Sequence, residues 1–93
     1  MSDDKDFYAN LKVQLEDTTI FPADYMYKFI VPTDYNQVQE VEELFNNSGA
    51  IINKKKSKKG KYISVSIVLK VENSTKVISY YKKAQKIKGI ISL

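Results

Sequence analysis

Residues 62–71 read Tyr62-Ile63-Ser64-Val65-Ser66-Ile67-Val68-Leu69-Lys70-Val71. Ile63, Val65, Ile67, Leu69 and Val71 fall on one side of an extended chain, and Tyr62, Ser64, Ser66, Val68 and Lys70 fall on the other. Strict alternation has the period of a β-strand with one buried face, and the five aliphatic positions must be that face. Just upstream, Ala50 to Lys56 begins apolar and becomes all lysine, the pattern of an edge strand whose charged end discourages pairing with a foreign sheet. Ser57 to Lys61 separates the two runs, with Gly60 free to take a positive φ, so the pair is expected to form a hairpin.

Working outward, Tyr25 to Val31 alternates as well, with Tyr25, Tyr27, Phe29 and Val31 on one face and Met26, Lys28 and Ile30 on the other. Pro32-Thr33-Asp34 stops this strand, and Asp34 with Gln37 three residues on predicts a capping box for a helix running to about Asn47. Val38, Val41, Leu44 and Phe45 form its apolar stripe, and Gly49 is the expected left-handed cap. On the other side of residues 62–71, Asn73 or Ser74 caps a second helix with Val77, Tyr81 and Ala84 at helical spacing. Tyr80 and Tyr81 are adjacent, so only one of them is expected to point inward. Gly89 then precedes a last short strand, Ile90 to Leu93. At the other end, Asp3 to Asp17 places Phe7, Leu11 and Leu15 at spacings of four, with acids crowded into the first turn, and predicts an amphipathic helix. It ends near Thr18-Thr19, and Pro22 keeps the following chain extended.

The order after the first helix is strand, helix, strand, strand, helix, strand. That order defines an α+β, ferredoxin-like βαββαβ fold, a four-stranded antiparallel sheet with two helices on one face, here with an extra N-terminal helix. The expected organisation is an acidic helical extension over residues 1–19 and one domain over 20–93. The two βαβ halves resemble each other in pattern, without a repeat of sequence.

Composition narrows the function. The chain has 93 residues, 43% hydrophobic, no cysteine and no histidine, so thiolate metal sites, disulfides and Cys or His catalysis are excluded. The apolar runs fall far short of the ~20 residues of a membrane-spanning helix, and the N-terminus is acidic where a signal peptide is basic. A cytoplasmic, non-membrane protein is expected. The net charge of +4 hides an asymmetry: residues 1–45 carry ten acids and three lysines, whereas 46–93 carry twelve lysines and one acid, Glu72. All fifteen cations are lysine, and the missing arginine weakens any bidentate reading of phosphate or guanine.

Two surfaces stand out. Lys54, Lys55, Lys56, Lys58, Lys59 and Lys61 put six cations into eight residues of the hairpin, a candidate polyanion patch or a solvated tip protecting an edge. Met26, Lys28, Ile30, Tyr62, Ser64, Ser66 and Val68 share the sheet face away from the helices, a mixed surface suited to another copy or a partner protein. An RNA-recognition motif would place aromatic platforms on that face, where Ser64 and Ser66 follow Tyr62. Glu40, Glu42 and Glu43 read as a solvated helix face, and the three glycines form no phosphate-cradling loop.

Phe21-Pro22 followed by Tyr27-Lys28, then Lys58-Lys59-Gly60-Lys61-Tyr62-Ile63-Ser64-Val65-Ser66-Ile67, resembles the YbeD-like family of small uncharacterised bacterial proteins over about residues 20–93. That family is similar in fold to ACT-type regulatory domains, so the resemblance implies a regulatory or interaction role. The loop after the first strand, Val31-Pro32-Thr33-Asp34-Tyr35, lacks the glycine on which ACT ligand binding relies. The function expected is a non-catalytic regulatory or protein-interaction module, its partner a second copy or another protein. The alternative is electrostatic binding of RNA or another polyanion by hairpin 54–61, and a third reading joins acidic helices of one copy to the basic hairpin of the next. No enzyme activity, cofactor or metal is expected.

Overall fold

A computed structural model of the chain describes residues 2–93, with side chains from Asp6 onward. The element order is α1 (Ser2–Thr18), β1 (Ala23–Pro32), α2 (Gln37–Leu44), β2 (Ile51–Lys56), β3 (Tyr62–Val71), α3 (Ser74–Ala84) and β4 (Ile91–Ser92). The sheet order is β2-β3-β1-β4, and every neighbouring pair is antiparallel. This is the expected ferredoxin-like arrangement. β1 and β3 form its centre, aligned over their full lengths from Ala23 opposite Val71 to Pro32 opposite Tyr62.

The alternation of both central strands decides the core. Tyr27, Phe29, Val31, Val65, Ile67, Leu69 and Val71 are buried, and Val41 of α2, Phe45 just past its end, and Val77 and Ala84 of α3 close over them. Burying each of these side chains contributes on the order of 1.5–3 kcal/mol, which offsets the chain entropy of a domain with no covalent staple. Asn73 caps α3 as expected, its side-chain oxygen accepting the N–H of Lys76 at 2.8 Å.

Four local expectations are corrected. The Asp34–Gln37 capping box does not form: α2 starts behind Asn36, which makes no side-chain cap. Gln37 is buried instead, its carbonyl oxygen accepting the N–H of Tyr35 at 2.9 Å and its amide donating to Asp34 Oδ1 at 2.8 Å and to the carbonyl of Lys88 at 3.5 Å. Second, α2 stops at Leu44 rather than Asn47, and Gly49 is not its cap. Once Phe45 has entered the core nothing apolar remains to hold a further turn, and the chain turns through positive φ at Asn47 and again at Gly49. Third, Tyr80 and Tyr81 both reach Tyr27, at ring-centroid separations of 5.9 and 4.8 Å. α3 crosses above that ring, so two successive positions straddle it; Tyr80 stacks on Phe45 at 4.6 Å while Tyr81 shares a hydroxyl hydrogen bond of 2.8 Å with Tyr25.

The fourth correction concerns α1. Of its predicted stripe Leu15 is buried and Leu11 half-buried, but Phe7 is 62% exposed with its ring edge-on to Tyr8. The helix leans on α3 rather than crossing the sheet, with Ser74 Oγ donating to Glu16 Oε2 at 3.0 Å near one end and Tyr8 Oη donating to Gln85 Oε1 at 2.6 Å near the other. The side chains of Asp3 and Asp4, expected to favour the start of this helix, lie outside the described residues, as does Met1.

The tyrosine cluster sets a pH limit. Burial, with Tyr81, Tyr25 and Tyr80 adding to it, pushes the Tyr27 phenol far above its ordinary range, and burial together with the Tyr25 hydrogen bond does the same for Tyr81. Both groups must stay protonated in the fold, whereas in the unfolded chain they ionise near pH 10. Their stabilisation is therefore complete below about pH 10 and is lost as pH rises toward the folded-state values, at about 1.4 kcal/mol per pH unit for each tyrosine. Urea midpoints recorded from pH 8 to 11.5 should be level and then fall steeply, and a Tyr27→Phe variant should fall less steeply.

Candidate interaction face and lysine hairpin

The helices cover one side of the sheet and leave the other bare. Aligned residues of antiparallel neighbours share a face, so the register lays out the bare surface in rows. Ile51, Val68 and Met26 form one row across β2, β3 and β1. Asn53, Ser66 and Lys28 form the next, and Lys55, Ser64, Ile30 and Ile91 a third that spans all four strands. Tyr62 stands beyond them beside Pro32, and Asp24 faces Lys70 at the opposite end. All seven residues predicted for this face, Met26, Lys28, Ile30, Tyr62, Ser64, Ser66 and Val68, are on it.

Three contributors were not read from the sequence. Ile51 is 65% exposed, Ile91 50%, and Leu93, whose N–H donates to the carbonyl of Lys28 at 2.8 Å, 64%. With Met26 at 60% and Tyr62 at 47% they give the face one apolar row, Ile51-Val68-Met26, and an apolar group at Ile30, Ile91 and Leu93 near the β4 edge, with Asn53, Ser66, Lys28, Lys55 and Ser64 as its polar part. Ile51 escaped notice because Ala50-Ile51-Ile52 is continuously apolar, and only pairing with Val68 shows which isoleucine faces out. Next to the third row, Ile30, Tyr62, Ser64 and Lys55 border a shallow hollow of about 310 Å³.

The lysine hairpin is less unified than its sequence. The strand period puts Lys55 on the bare face beside Ser64 and aligns Lys54 and Lys56 with the inward positions Val65 and Ile63. Lys54 reaches Glu42 of α2 at 3.3 Å, an ion pair exposed enough to contribute only about 0–1 kcal/mol. Lys58, Lys59 and Lys61 sit in the turn, which Thr33 ties to the end of β1 by donating Oγ1 to the carbonyl of Gly60 at 2.6 Å and its N–H to that of Lys61 at 3.0 Å. Gly60 has φ +72, as the turn required. Among the described residues no group of three or more Asp or Glu is arranged to hold a metal ion, and no helix is long and apolar enough to cross a membrane.

A βαββαβ domain of this size, with one sheet face covered by helices and the other open, places the chain in a class of small α+β modules. Residues 16–93 match the model of a family described as protein of unknown function (DUF493), and the chain belongs to that family, in which YbeD is also a member. The solution structure of protein HP0495 from H. pylori is similar in fold, with a TM-score of 0.64 at 22% identity over 82% of this chain and 86% of that one. No curated protein sequence matches the chain.

Proposed function

We propose that the chain is a non-catalytic, cytoplasmic interaction or regulatory module that works through the bare sheet face, in the manner of an ACT-like domain. The observation that carries this reading is the apolar row Ile51-Val68-Met26, with Ile30, Ile91 and Leu93 as a second apolar group toward the β4 edge, on a four-stranded platform. Exposed apolar side chains with polar residues around and between them are the composition of a protein interface. The absence of histidine and cysteine supports a role without catalysis.

Met26→Asp with Val68→Asp is expected to abolish association on this face while leaving the thermal transition within a few degrees of the parent, because Met26 is exposed and Val68 lies on the outer face. Sedimentation equilibrium over a wide concentration range, with the parent chain alongside, reads a second copy as the partner. A parent self-association that the double variant retains removes the face from consideration.

A second reading, RNA or polyanion binding by the hairpin, is favoured by the exposure of Lys55, Lys56, Lys58, Lys59 and Lys61. Retention of RNA at low salt, lost with a reduced salt slope when these lysines are replaced by glutamine, supports it. Failure of the parent chain to retain RNA removes it.

A further inference from the structure

A hollow of about 580 Å³ lies away from the bare face, between α1 and α3. Its two walls are some seventy residues apart in the sequence. Lys12 enters from α1, Lys82 and Lys83 from the last turn of α3, and Lys86 from beyond the end of that helix. Among the described residues no carboxylate lines it.

Lysines in a last helical turn are expected wherever a helix ends, since they complement its carbonyl dipole. That accounts for Lys82 and Lys83. It does not account for Lys12, which comes from the other helix, or for Lys86, which follows the end of α3. Four lysine side chains border one concavity, the Lys83 ammonium also lying 5.9 Å from the Tyr80 ring centroid, and their charge raises a positive potential that an anion relieves; lysine is a common point-charge ligand for phosphate. The remaining wall suits an apolar or flat body. Ala9 and Ile78 provide hydrocarbon, and the Tyr8 ring stands beside them, its hydroxyl held by Gln85 at 2.6 Å and the Lys82 ammonium 5.5 Å from its centroid. A volume of this order matches those of small-molecule sites.

We propose that the α1/α3 groove binds a phosphate-bearing small molecule of about nucleotide size, its phosphates among Lys12, Lys82, Lys83 and Lys86 and its body against Tyr8, Ala9 and Ile78. A phosphate monoester carries about −1.5 to −2 at pH 7, which makes better use of four cations than a single carboxylate does. The site is independent of the bare sheet face, so neither reading stands or falls with the other.

Titration of the full chain with ATP, AMP and inorganic phosphate, followed by calorimetry and by backbone NMR, tests it. Saturable ATP binding is expected, tighter than that of inorganic phosphate, with the largest shifts at Ala9, Ser79 and Lys86. Lys12→Gln with Lys86→Gln should weaken ATP by about tenfold or more, while Lys58→Gln with Lys59→Gln leaves it within about twofold. The proposal is overturned by the absence of saturation, by equal affinity for ATP and inorganic phosphate, or by an equal loss in the hairpin variant, which would mark general charge attraction. Both double variants change exposed lysines, and circular dichroism checks that they keep the fold.

Discussion

Tyr27→Ala is expected to remove a large fraction of the protein's stability. The ring is fully buried at the centre of the sheet, with Tyr25 and Tyr81 at 4.8 Å, Phe45 at 5.2 Å and Phe29 stacked at 5.9 Å. Its hydroxyl donates to the carbonyl of Val77 at 2.8 Å, joining β1 to α3. Truncating a buried aromatic costs about 3–5 kcal/mol, the loss of transfer energy plus the cavity left behind. Set against the roughly 5–15 kcal/mol that holds a whole domain, this lowers Tm by about 15–30 °C at this chain length. Tyr27→Phe separates the two parts of the effect. It keeps the ring and loses only the hydrogen bond, so a drop of about 1 kcal/mol is expected. Differential scanning calorimetry of the two variants reads the difference, and equal losses would contradict a packing role for the ring.

Gly89→Ala has the second large effect, and it links stability to the bare face. Gly89 sits at φ +75, where a side chain is strained, and a Cβ built there lies 2.8 Å from Cγ of Pro32. The left-handed backbone costs about 1–2 kcal/mol for alanine and the clash with a rigid ring about 1–3 more. β4 is lightly anchored: it is two residues long, aligns with β1 at Phe29 and Ile30, and is extended by the hydrogen bond from Leu93 N–H to Lys28. Relief of the clash is therefore expected to lift β4 off the sheet rather than to deform β1. Amide exchange at Ile91 and Leu93 should rise by two orders of magnitude or more while that of Val65 and Ile67 changes far less, since ~1.4 kcal/mol corresponds to a factor of ten. Uniform faster exchange throughout the sheet would show that β4 is no independent unit.

The fold was largely legible because two long strands carry an alternation that survives without partners. Tyr25 to Val31 and Tyr62 to Val71 each sort cleanly into two faces, and the helices between strands fixed the order. Much of what was lost depends on register or on distant contacts. Nothing in the sequence around Gln37 shows that the side chain is captured by Tyr35 and Lys88 instead of closing a capping box, because Lys88 is fifty-one residues away. The pairing of Lys54 with Glu42, twelve residues away on α2, is equally invisible. Phe7 was misplaced because a spacing of four says which residues share a helix face but not how far along the helix a partner extends. The same reason hid the α1/α3 groove, which exists only where two helices from opposite ends of the chain lie side by side.

The bare sheet face remains the central claim, and one comparison tests it most directly. Three baits, the parent chain, Met26→Asp with Val68→Asp, and the five-lysine hairpin variant, are used for affinity capture from native cytosol with quantitative mass spectrometry. The account predicts a protein partner enriched by the parent and by the hairpin variant and lost from the sheet-face variant. Enrichment retained by the sheet-face variant and lost from the hairpin variant would contradict it and move the working surface to the lysines.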